Sequence, residues 1–290
     1  MKISHESPLA LLSQSRYYND YDYALVHLFE SEPTYLQFFK DSLAQGRHVI
    51  LDNSIFELGT AFDSDKFLHW VNELRPTEYI IPDVLEDALG TTQNATDWKK
   101  QYLPHVKPGI KSIGVVQGKT YQELVNCYFH LDTVINVDKI AISFDYSYYL
   151  DVCPHPNKWM GYSIGRAQTL TRMLKEGIIN QSKPHHLLGC SLPIEFMFYR
   201  EGFNWIESMD TSNPVVHGLL NIPYEGTGLV TKQSIKLVDL LHAKPTPLQE
   251  NMIGTNINKF KYIVRGMHEE LDSLFQSNRE RDSRTFQDSE

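Results

Sequence analysis

The chain is poor in cysteine and contains no long apolar segment. Its 290 residues include three cysteines, and these are widely spaced. A sparse, odd-numbered set of thiols argues against a disulfide framework and favours a reducing compartment. No apolar run approaches the roughly 20 residues that a membrane-spanning helix needs. Residues 1–8 also lack the pattern of a signal peptide, so we expect a cytoplasmic protein that does not enter a membrane.

The chain also has little positive charge, with a net charge of −9 at pH 7. Such a charge argues against a protein that coats nucleic acid non-specifically, but it leaves room for an enzyme that engages nucleic acid through a local basic face. Residues 227–266 reverse the charge locally, and with basic residues upstream they predict a phosphate-binding face. Its members are Lys232, Lys236, Lys244, Lys259, Lys261, Arg265, Arg166, Arg172, Lys175 and Lys183.

A glycine-rich dinucleotide fingerprint is missing after the first predicted strand, which argues against a Rossmann fold. Short apolar runs instead alternate with amphipathic helical segments along most of the chain. The runs are continuous rather than alternating, as in a parallel sheet that is buried on both faces. We therefore predict an α/β fold, a single (β/α)8 TIM-type barrel with a C-terminal helical extension.

Seven strands are predicted, and the eighth is assigned to either residues 1–4 or residues 218–222. The seven cover residues 24–29, 48–51, 79–82, 112–116, 139–142, 186–189 and 205–210. Helices are predicted at residues 33–45, 64–74 (with Ser64 as N-cap), 88–102, 121–131, 165–176, 193–200, about 231–243 and about 256–275. The segment after Asp210 shows no clear helical period. We expect one domain over residues 1–278 and a disordered tail over residues 279–290.

Polar or thiol side chains follow most of the predicted strands directly. In a barrel these positions meet at one mouth, because the loops after the strands build the site. Carboxylates and an amide in one cleft suit a nucleophile, a general acid/base and the recognition of a polar planar ligand. A single Asp at a strand end also commonly caps the next turn. The positions are Asp52, Asp83, Gln117, Ser143, Cys190 and Asp210.

Over residues 48–218 the chain resembles the tRNA-guanine transglycosylases in the order of five segments. That family has an Asp-Ser-Gly-Gly-(Phe/Tyr)-Gln segment, a base-reading Asp, a Gly-(Ile/Val)-Val-Gln-Gly segment, an apolar-Gly strand and a Phe-Asp-Cys segment with the nucleophile. The Gly-Val-Val-Gln-Gly sequence at residues 114–118 is the most specific match. The other corresponding segments are residues 51–57, 82–84, 186–189 and 209–210.

The resemblance implies that the protein exchanges a base through a covalent glycosyl-enzyme, without a cofactor. It implies that Asp210 attacks C1′ of a guanosine nucleotide and that Asp52 is the general acid/base. Enzymes that displace a group at the anomeric carbon of a sugar usually use two carboxylates. The remaining implied contacts are with the base: Asp83 accepts from N1–H and the exocyclic amine, Gln117 reads the O6 edge, Phe56 and Leu188 sandwich the ring, and Gly118 and Ser143 complete the pocket.

The chain differs from the tRNA-guanine transglycosylases at several positions, and these differences bear on which nucleic acid it would modify. The tRNA enzymes carry a zinc site of three Cys and one His in their C-terminal region, but here no cysteine follows Cys190, so we expect no zinc subdomain and no metal. Ser54-Ile55 replaces Gly-Gly, Glu57 replaces Gln, and residues 212–215 replace an Arg-containing stretch. In this the chain is similar to short bacteriophage relatives that exchange guanine in DNA for a 7-deazaguanine such as preQ0. Modified phage DNA then resists host nucleases.

The expected partners are therefore DNA and a preQ0-type base, in the host cytoplasm if a phage encodes the protein. Alternatives stay open: tRNA as the polymer, a non-catalytic binder of a guanine-like metabolite, a nucleoside hydrolase, or a metal-dependent hydrolase. A homodimer is also left open. Residues 144–149 are a candidate surface for stacking unpaired nucleotides. Of the His and Cys residues, whose spacing fits no common zinc pattern, only His217 is kept as a candidate site residue; His185 and His186 are interpreted as structural or surface residues.

Overall fold

Eight parallel strands form one sheet that curls into a nearly closed barrel. The structure, a computed structural model, describes residues 1–199, 202–226 and 228–266. From β2 to β8 each strand lies beside the next one along the chain, and β1 lies beside β8. This confirms the α/β, single (β/α)8 TIM-type prediction. The strands are β1 (Lys2–Ser4), β2 (Asp22–Leu25), β3 (Val49–Asp52), β4 (Glu78–Ile80), β5 (Lys111–Val116), β6 (Lys139–Ser143), β7 (His185–Leu188) and β8 (Ile206–Asp210).

Helices surround the barrel, and several of them end in tighter or wider turns. Short 3-10 or π-helical segments lie at Leu9–Leu11, Trp98–Tyr102, Leu103–His105, His130–Ile135, Pro193–Phe198, Leu237–Leu240 and Tyr262–Gly266. The α-helices are α1 (Leu12–Tyr18), α2 (Leu28–Ser31), α3 (Pro33–Ala44), α4 (Ile55–Leu58), α5 (Ser64–Leu74), α6 (Ala88–Asp97), α7 (Tyr121–Phe129), α8 (Tyr148–Val152), α9 (Lys158–Lys175), α10 (Asn213–Leu219) and α11 (Pro247–Lys261).

The opening between β1 and β2 is bridged by Asp20, which lies just before β2. Its backbone N–H donates to the carbonyl of Ile3 at 3.0 Å, and its carboxylate accepts from the Ile3 N–H at 2.7 Å. Tyr21 reaches across the barrel and donates its hydroxyl to the carbonyl of Met209 at 2.7 Å. The two bonds of Asp20 satisfy polar groups that the unpaired edge of β1 would leave open.

A buried ion cluster occupies the amino-terminal end of the barrel. Lys139, at the start of β6, is 1% exposed. Its ammonium lies 2.5 Å from Glu78 Oε2 and 2.8 Å from Glu207 Oε2. Because the strands are parallel, this paired cluster lies at the opposite end from Asp52 and Asp210, which end β3 and β8. The cluster fills the amino-terminal end of the barrel interior and leaves the carboxyl end for a site.

Two predicted elements begin elsewhere than the sequence indicated. The N-cap of α5 is Asp63 rather than Ser64, because the Asp63 side chain accepts from the Lys66 N–H. Helix α9 begins at Lys158 rather than near residue 165, with the Asn157 side chain accepting from the first turn. Gly165 weakens the helical pattern in the sequence, but it lies where any Cβ would collide with the carbonyl of Tyr149. It therefore serves packing and does not mark a boundary.

The first and last predicted strands also need correction. The first barrel strand is β1, so residues 1–4 supply the eighth strand and residues 218–222 do not. The run predicted at 24–29 is β2 followed by helix α2. Directly after Asp210 lies a helix, α10, all of whose residues are buried. A helix buried on every side shows no 3.6-residue alternation, which is why its period is invisible in the sequence.

The C-terminal extension is confirmed as helical, with different bounds. Helix α11 starts at Pro247, where Thr246 and Gln249 form a capping box. Its apolar face packs against α10 through Ile253, Ile257 and Val216. The helix predicted near 231–243 is only a 3-10 turn at Leu237–Leu240, and the one predicted at 193–200 is a 3-10 turn at Pro193–Phe198. The end of the last predicted helix and the tail at 279–290 lie outside the described residues.

Candidate active site

A cavity of about 340 Å³ opens at the carboxyl end of the barrel strands. This volume suits a small planar ligand, since ligand pockets commonly start near 300 Å³. The walls bring together the catalytic and base-binding residues predicted from the sequence, except Gly118, where an added Cβ would meet Glu123 and the start of α7. The predicted residues that line the cavity are Asp52, Phe56, Asp83, Gln117, Ser143, Leu188 and Asp210.

Asp83 is held between two side-chain amides. Asn53 Nδ2 donates to one carboxylate oxygen at 2.8 Å, and Gln117 Nε2 donates to the other at 2.7 Å. The backbone N–H of Glu86 donates to Gln117 Oε1 at 2.8 Å. This bond fixes the orientation of the Gln117 amide, so that Nε2 is the atom that faces Asp83. Burial raises the pKa of Asp83 to about 6 although both amide hydrogen bonds oppose the shift. At neutral pH the group is therefore an ionised, fixed acceptor.

Asp52 is the last residue of β3, and each of its two carboxylate oxygens accepts a hydrogen bond. The Tyr23 hydroxyl donates to Oδ2, and the backbone N–H of Ser54 donates to Oδ1, each at 2.5 Å. Ser54 adopts a left-handed conformation with φ of 62°, which turns its N–H back towards the carboxylate. Burial and then the charge of Glu57 raise the pKa of Asp52 well above its ordinary value. A carboxyl group with a raised pKa can carry the proton that a general acid must donate.

Asp210 ends β8 and contacts a buried histidine. His186 Nε2 lies 3.0 Å from Asp210 Oδ1, and the Gly189 N–H donates to the same oxygen at 3.3 Å. Because a carboxylate only accepts, the His186 proton on Nε2 faces Asp210, while Nδ1 lies 2.9 Å from Ser208 Oγ. Both of the hydrogen bonds described for the carboxylate go to Oδ1, so Oδ2 is the oxygen available for reaction.

His186 also links the two carboxylates. Its ring stacks on Tyr23, with centroids 5.9 Å apart and an interplanar angle of 15°, and Tyr23 in turn bonds Asp52. Sequence reasoning missed this role and interpreted His186 as a structural or surface residue. Strand alternation could have found it, because His186 is two residues before Leu188 and so shares its face of β7.

Three further acids line the cavity: Glu6, Glu57 and Asp145. Glu6 follows β1, and burial together with the charge of Asp210 raises its pKa well above the ordinary value. Glu57 lies in α4, and burial raises its pKa to about 7. Its Oε2 is buried without a hydrogen-bond partner among the described residues. The sequence could have indicated Glu6 once residues 1–4 are taken as a barrel strand, because it then lies at the same end as the other acids.

Two lysines of the predicted basic face reach the cavity mouth. Lys232 Nζ donates to the Cys190 carbonyl at 3.1 Å, and burial lowers its pKa to about 8. Lys236 Nζ donates to the Phe56 carbonyl at 2.9 Å. Other predicted members lie elsewhere, since Arg265 pairs with Asp20 near the opposite end of the barrel. The predicted face is therefore split, and only part of it borders the cavity.

Arg166 is not part of a surface, contrary to the prediction. It is fully buried, and its guanidinium forms a bidentate pair with Glu195, at 2.6 and 3.0 Å. The same group donates to the carbonyls of Leu188 and Gly189 at 3.1 and 3.0 Å. Arg166 therefore fixes the end of β7, from which the Gly189 N–H reaches Asp210.

Two other sequence-based candidates were the stacking segment at residues 144–149, which reaches the cavity only in part, and His217, which does not line it. Tyr146 and Tyr149, in the predicted stacking segment, are 2% and 0% exposed, so the prediction is wrong for them. Phe144, from the same segment, does line the cavity, as does Trp159. His217 is buried in α10 outside the cavity lining, and its Nδ1 lies 2.8 Å from the Asn213 carbonyl.

Comparisons with known proteins leave the family open: neither a scan against protein-family models nor a search of curated proteins finds a match. Within the described ranges, no three His, Cys, Asp or Glu side chains are grouped so that they could hold a metal ion. The three cysteines are free thiols. Over the same part of the chain, none of the helices has the length and apolar character to cross a membrane.

The contact between His186 and Asp210 leads to a first prediction. We expect His186→Phe, which keeps the stacked ring but removes the donor, to lower the turnover number on the order of 10²-fold, since Asp210 loses its alignment. His186→Gln places an amide N–H near the position of Nε2 and should restore much of the rate. Steady-state kinetics with the substrates proposed below measure both, with circular dichroism to confirm folding. Equal losses in the two variants would point to a packing role only.

Proposed function

We propose that the protein is a transglycosylase that replaces guanine in DNA by a 7-deazaguanine base of the preQ0 type, through a covalent intermediate on Asp210. The observation that carries the proposal is the cavity itself, in which a fixed acceptor, Asp83 between Asn53 and Gln117, shares one space with Asp52 and Asp210. The arrangement supplies a base-reading group and two carboxylates for a sugar centre.

The Asp83 cluster matches the hydrogen-bonding edge of guanine. Guanine presents two neighbouring donors, N1–H and the exocyclic amine, and a carboxylate presents two acceptor oxygens. Gln117 Nε2 carries a second N–H beyond the one given to Asp83, and this hydrogen is suited to the guanine O6. Adenine offers an acceptor at N1, so the same site would place lone pairs against lone pairs. Selection of guanine-like rings follows from this pattern.

Asp210 and Asp52 carry out different parts of the reaction, attack on the sugar and proton transfer. Asp210 Oδ2 attacks C1′ and the C1′–N9 bond breaks, with its electron pair passing to the departing guanine, which takes a proton from Asp52. The incoming 7-deazaguanine then loses its N9 proton to Asp52 and attacks C1′, which releases Asp210. Atoms and charges balance without a cofactor. The raised pKa of Asp52 supports its part, because the group must hold a proton near neutral pH.

The choice of polymer rests on the resemblance to the short bacteriophage enzymes. It is supported by the sequence, in which no cysteine follows Cys190 to build the zinc site of the tRNA enzymes. The target nucleotide would have to leave its stack, because the acids lie inside the barrel mouth. The product would be DNA whose altered bases resist nucleases.

Base exchange on matched polymers tests the proposal. Purified full-length protein is incubated with radiolabelled guanine or preQ0 and with single-stranded DNA, duplex DNA or unmodified tRNA. We expect label to enter DNA and not tRNA. Label in tRNA alone would overturn the assigned polymer, and no label in any polymer with either base would overturn the reaction.

A further inference from the structure

A line of cations interleaved with aromatic rings crosses the cavity mouth. We propose that this line is a track for an unpaired DNA strand, in which three lysines hold phosphates and Trp159 stacks on a base next to the extruded nucleotide. The choice of DNA over RNA rests on the proposed function. We call the lysines, Lys158, Lys232 and Lys236, the cationic rim.

The line is continuous from one side of the mouth to the other. Lys158 Nζ lies 4.5 Å and Lys232 Nζ 6.0 Å from the centre of the Trp159 ring. Lys232 Nζ also lies 3.6 Å from the centre of the Phe144 ring. The Phe144 ring is 6.0 Å from that of Phe56, over which Lys236 Nζ lies at 4.4 Å. Basic side chains interleaved with aromatic rings are the usual means of holding a single strand without reading its sequence.

Charge is segregated between the rim and the floor of the cavity. The floor carries Asp52, Asp83 and Asp210, and the last two are 2% and 6% exposed. Lys158 and Lys236 are solvent-exposed at the mouth. A phosphodiester would be repelled among the buried acids and attracted to the rim. The backbone of a bound strand should therefore stay at the rim, while only the base and sugar of one nucleotide descend.

The lysines of the cationic rim keep N–H donors that are free to bind a phosphate. An ammonium group has three N–H donors. Lys232 uses one on the Cys190 carbonyl, and Lys236 uses one on the Phe56 carbonyl. The rim is also anchored as one surface, because Asn157, the N-cap of α9, donates from Nδ2 to the Val230 carbonyl at 2.5 Å. This bond holds the segment that carries Lys232 beside the start of the helix that carries Lys158.

Strand binding can be measured independently of base exchange. The probe is a fluorescein-labelled 15-mer of deoxyuridine, which contains no guanine, and its anisotropy is followed with the full-length protein from 50 to 200 mM salt. Lys158→Ala and Lys236→Ala should each weaken binding and reduce the slope of log K against log[salt] by about 0.7. Trp159→Ala should weaken binding on the order of tenfold with the slope unchanged, and Trp159→Phe should recover most of it.

Lys175→Ala is the matched control, because Lys175 is an exposed lysine at the other end of the same helix, about 25 Å from Lys158 at 1.5 Å per residue. It should bind the 15-mer like the wild type. Lysine variants of the rim that behave like Lys175→Ala would overturn the track. A 15-mer of uridine differs from the probe only by its 2′-hydroxyls, and equal or tighter binding of that RNA would overturn the choice of DNA.

The proposed base exchange and the proposed strand track can be refuted separately. If no polymer accepts label but the deoxyuridine 15-mer still requires Lys158 and Lys236, the proposed reaction falls and the track stands. If DNA is labelled but both rim variants bind the 15-mer normally, the track falls and the reaction stands.

Discussion

Asp210→Asn is expected to abolish base exchange, with a loss on the order of 10⁴-fold or more, because an amide cannot act as the nucleophile. The substitution is nearly isosteric, and the new carbonyl oxygen can still accept from His186 and Gly189, so the fold and the shape of the cavity should be unchanged. The measurement is the rate at which labelled guanine enters DNA, together with a protein–DNA adduct on a denaturing gel. Both signals should disappear.

Asp145→Asn is the matched control for this experiment. Asp145 lines the same cavity, but its carboxylate accepts from the Ser143 hydroxyl at 3.0 Å and has no part in the proposed chemistry. It should retain most of the exchange activity. Asp210→Asn should also bind the deoxyuridine 15-mer at least as well as the wild type, since it removes a negative charge. Full exchange activity in Asp210→Asn would refute the nucleophile assignment.

The fold and the core of the site were predictable because both depend on local patterns. Continuous apolar runs between amphipathic helices indicate parallel strands, and parallel strands carry their carboxyl ends to one mouth. Asp52, Asp83, Gln117 and Asp210 could therefore be assigned to one cavity from their positions after strands alone, and all four line it. No side-chain geometry was required for that step.

What the sequence could not supply depends on contacts between distant segments. Lys232 and Lys236 lie outside the barrel strands, and their position at the mouth is set by bonds to the carbonyls of Cys190 and Phe56. Arg166 looked like a surface cation because its partner, Glu195, lies 29 residues away in the sequence. A pattern of charges along the chain does not tell a buried, paired guanidinium from a solvated one.

Asp83→Asn is expected to reduce kcat/KM for guanine on the order of 10³-fold or more, because a site built to pair with polar groups penalises any mismatch strongly. The new amide would face the two donors of the base with one acceptor and one donor. Binding of the deoxyuridine 15-mer should be unchanged, since Asp83 is buried below the rim. Competition between guanine and hypoxanthine, which lacks the exocyclic amine, measures selectivity directly. A variant that still prefers guanine as strongly as the wild type would rule out the base-reading role.

The pH dependence provides a separate test of the same group. Burial raises the pKa of Asp83 to about 6, so the acceptor form is present above that pH. As the pH falls through this value the carboxyl gains a proton and presents an O–H to the base donors, so kcat/KM should decrease. Glu57, whose pKa burial raises to about 7, titrates nearby. In Glu57→Gln the decrease near pH 6 should persist, whereas in Asp83→Asn it should disappear from the residual activity. A decrease that instead follows Glu57 would move the pH-sensitive step from base recognition to the acids around Asp52.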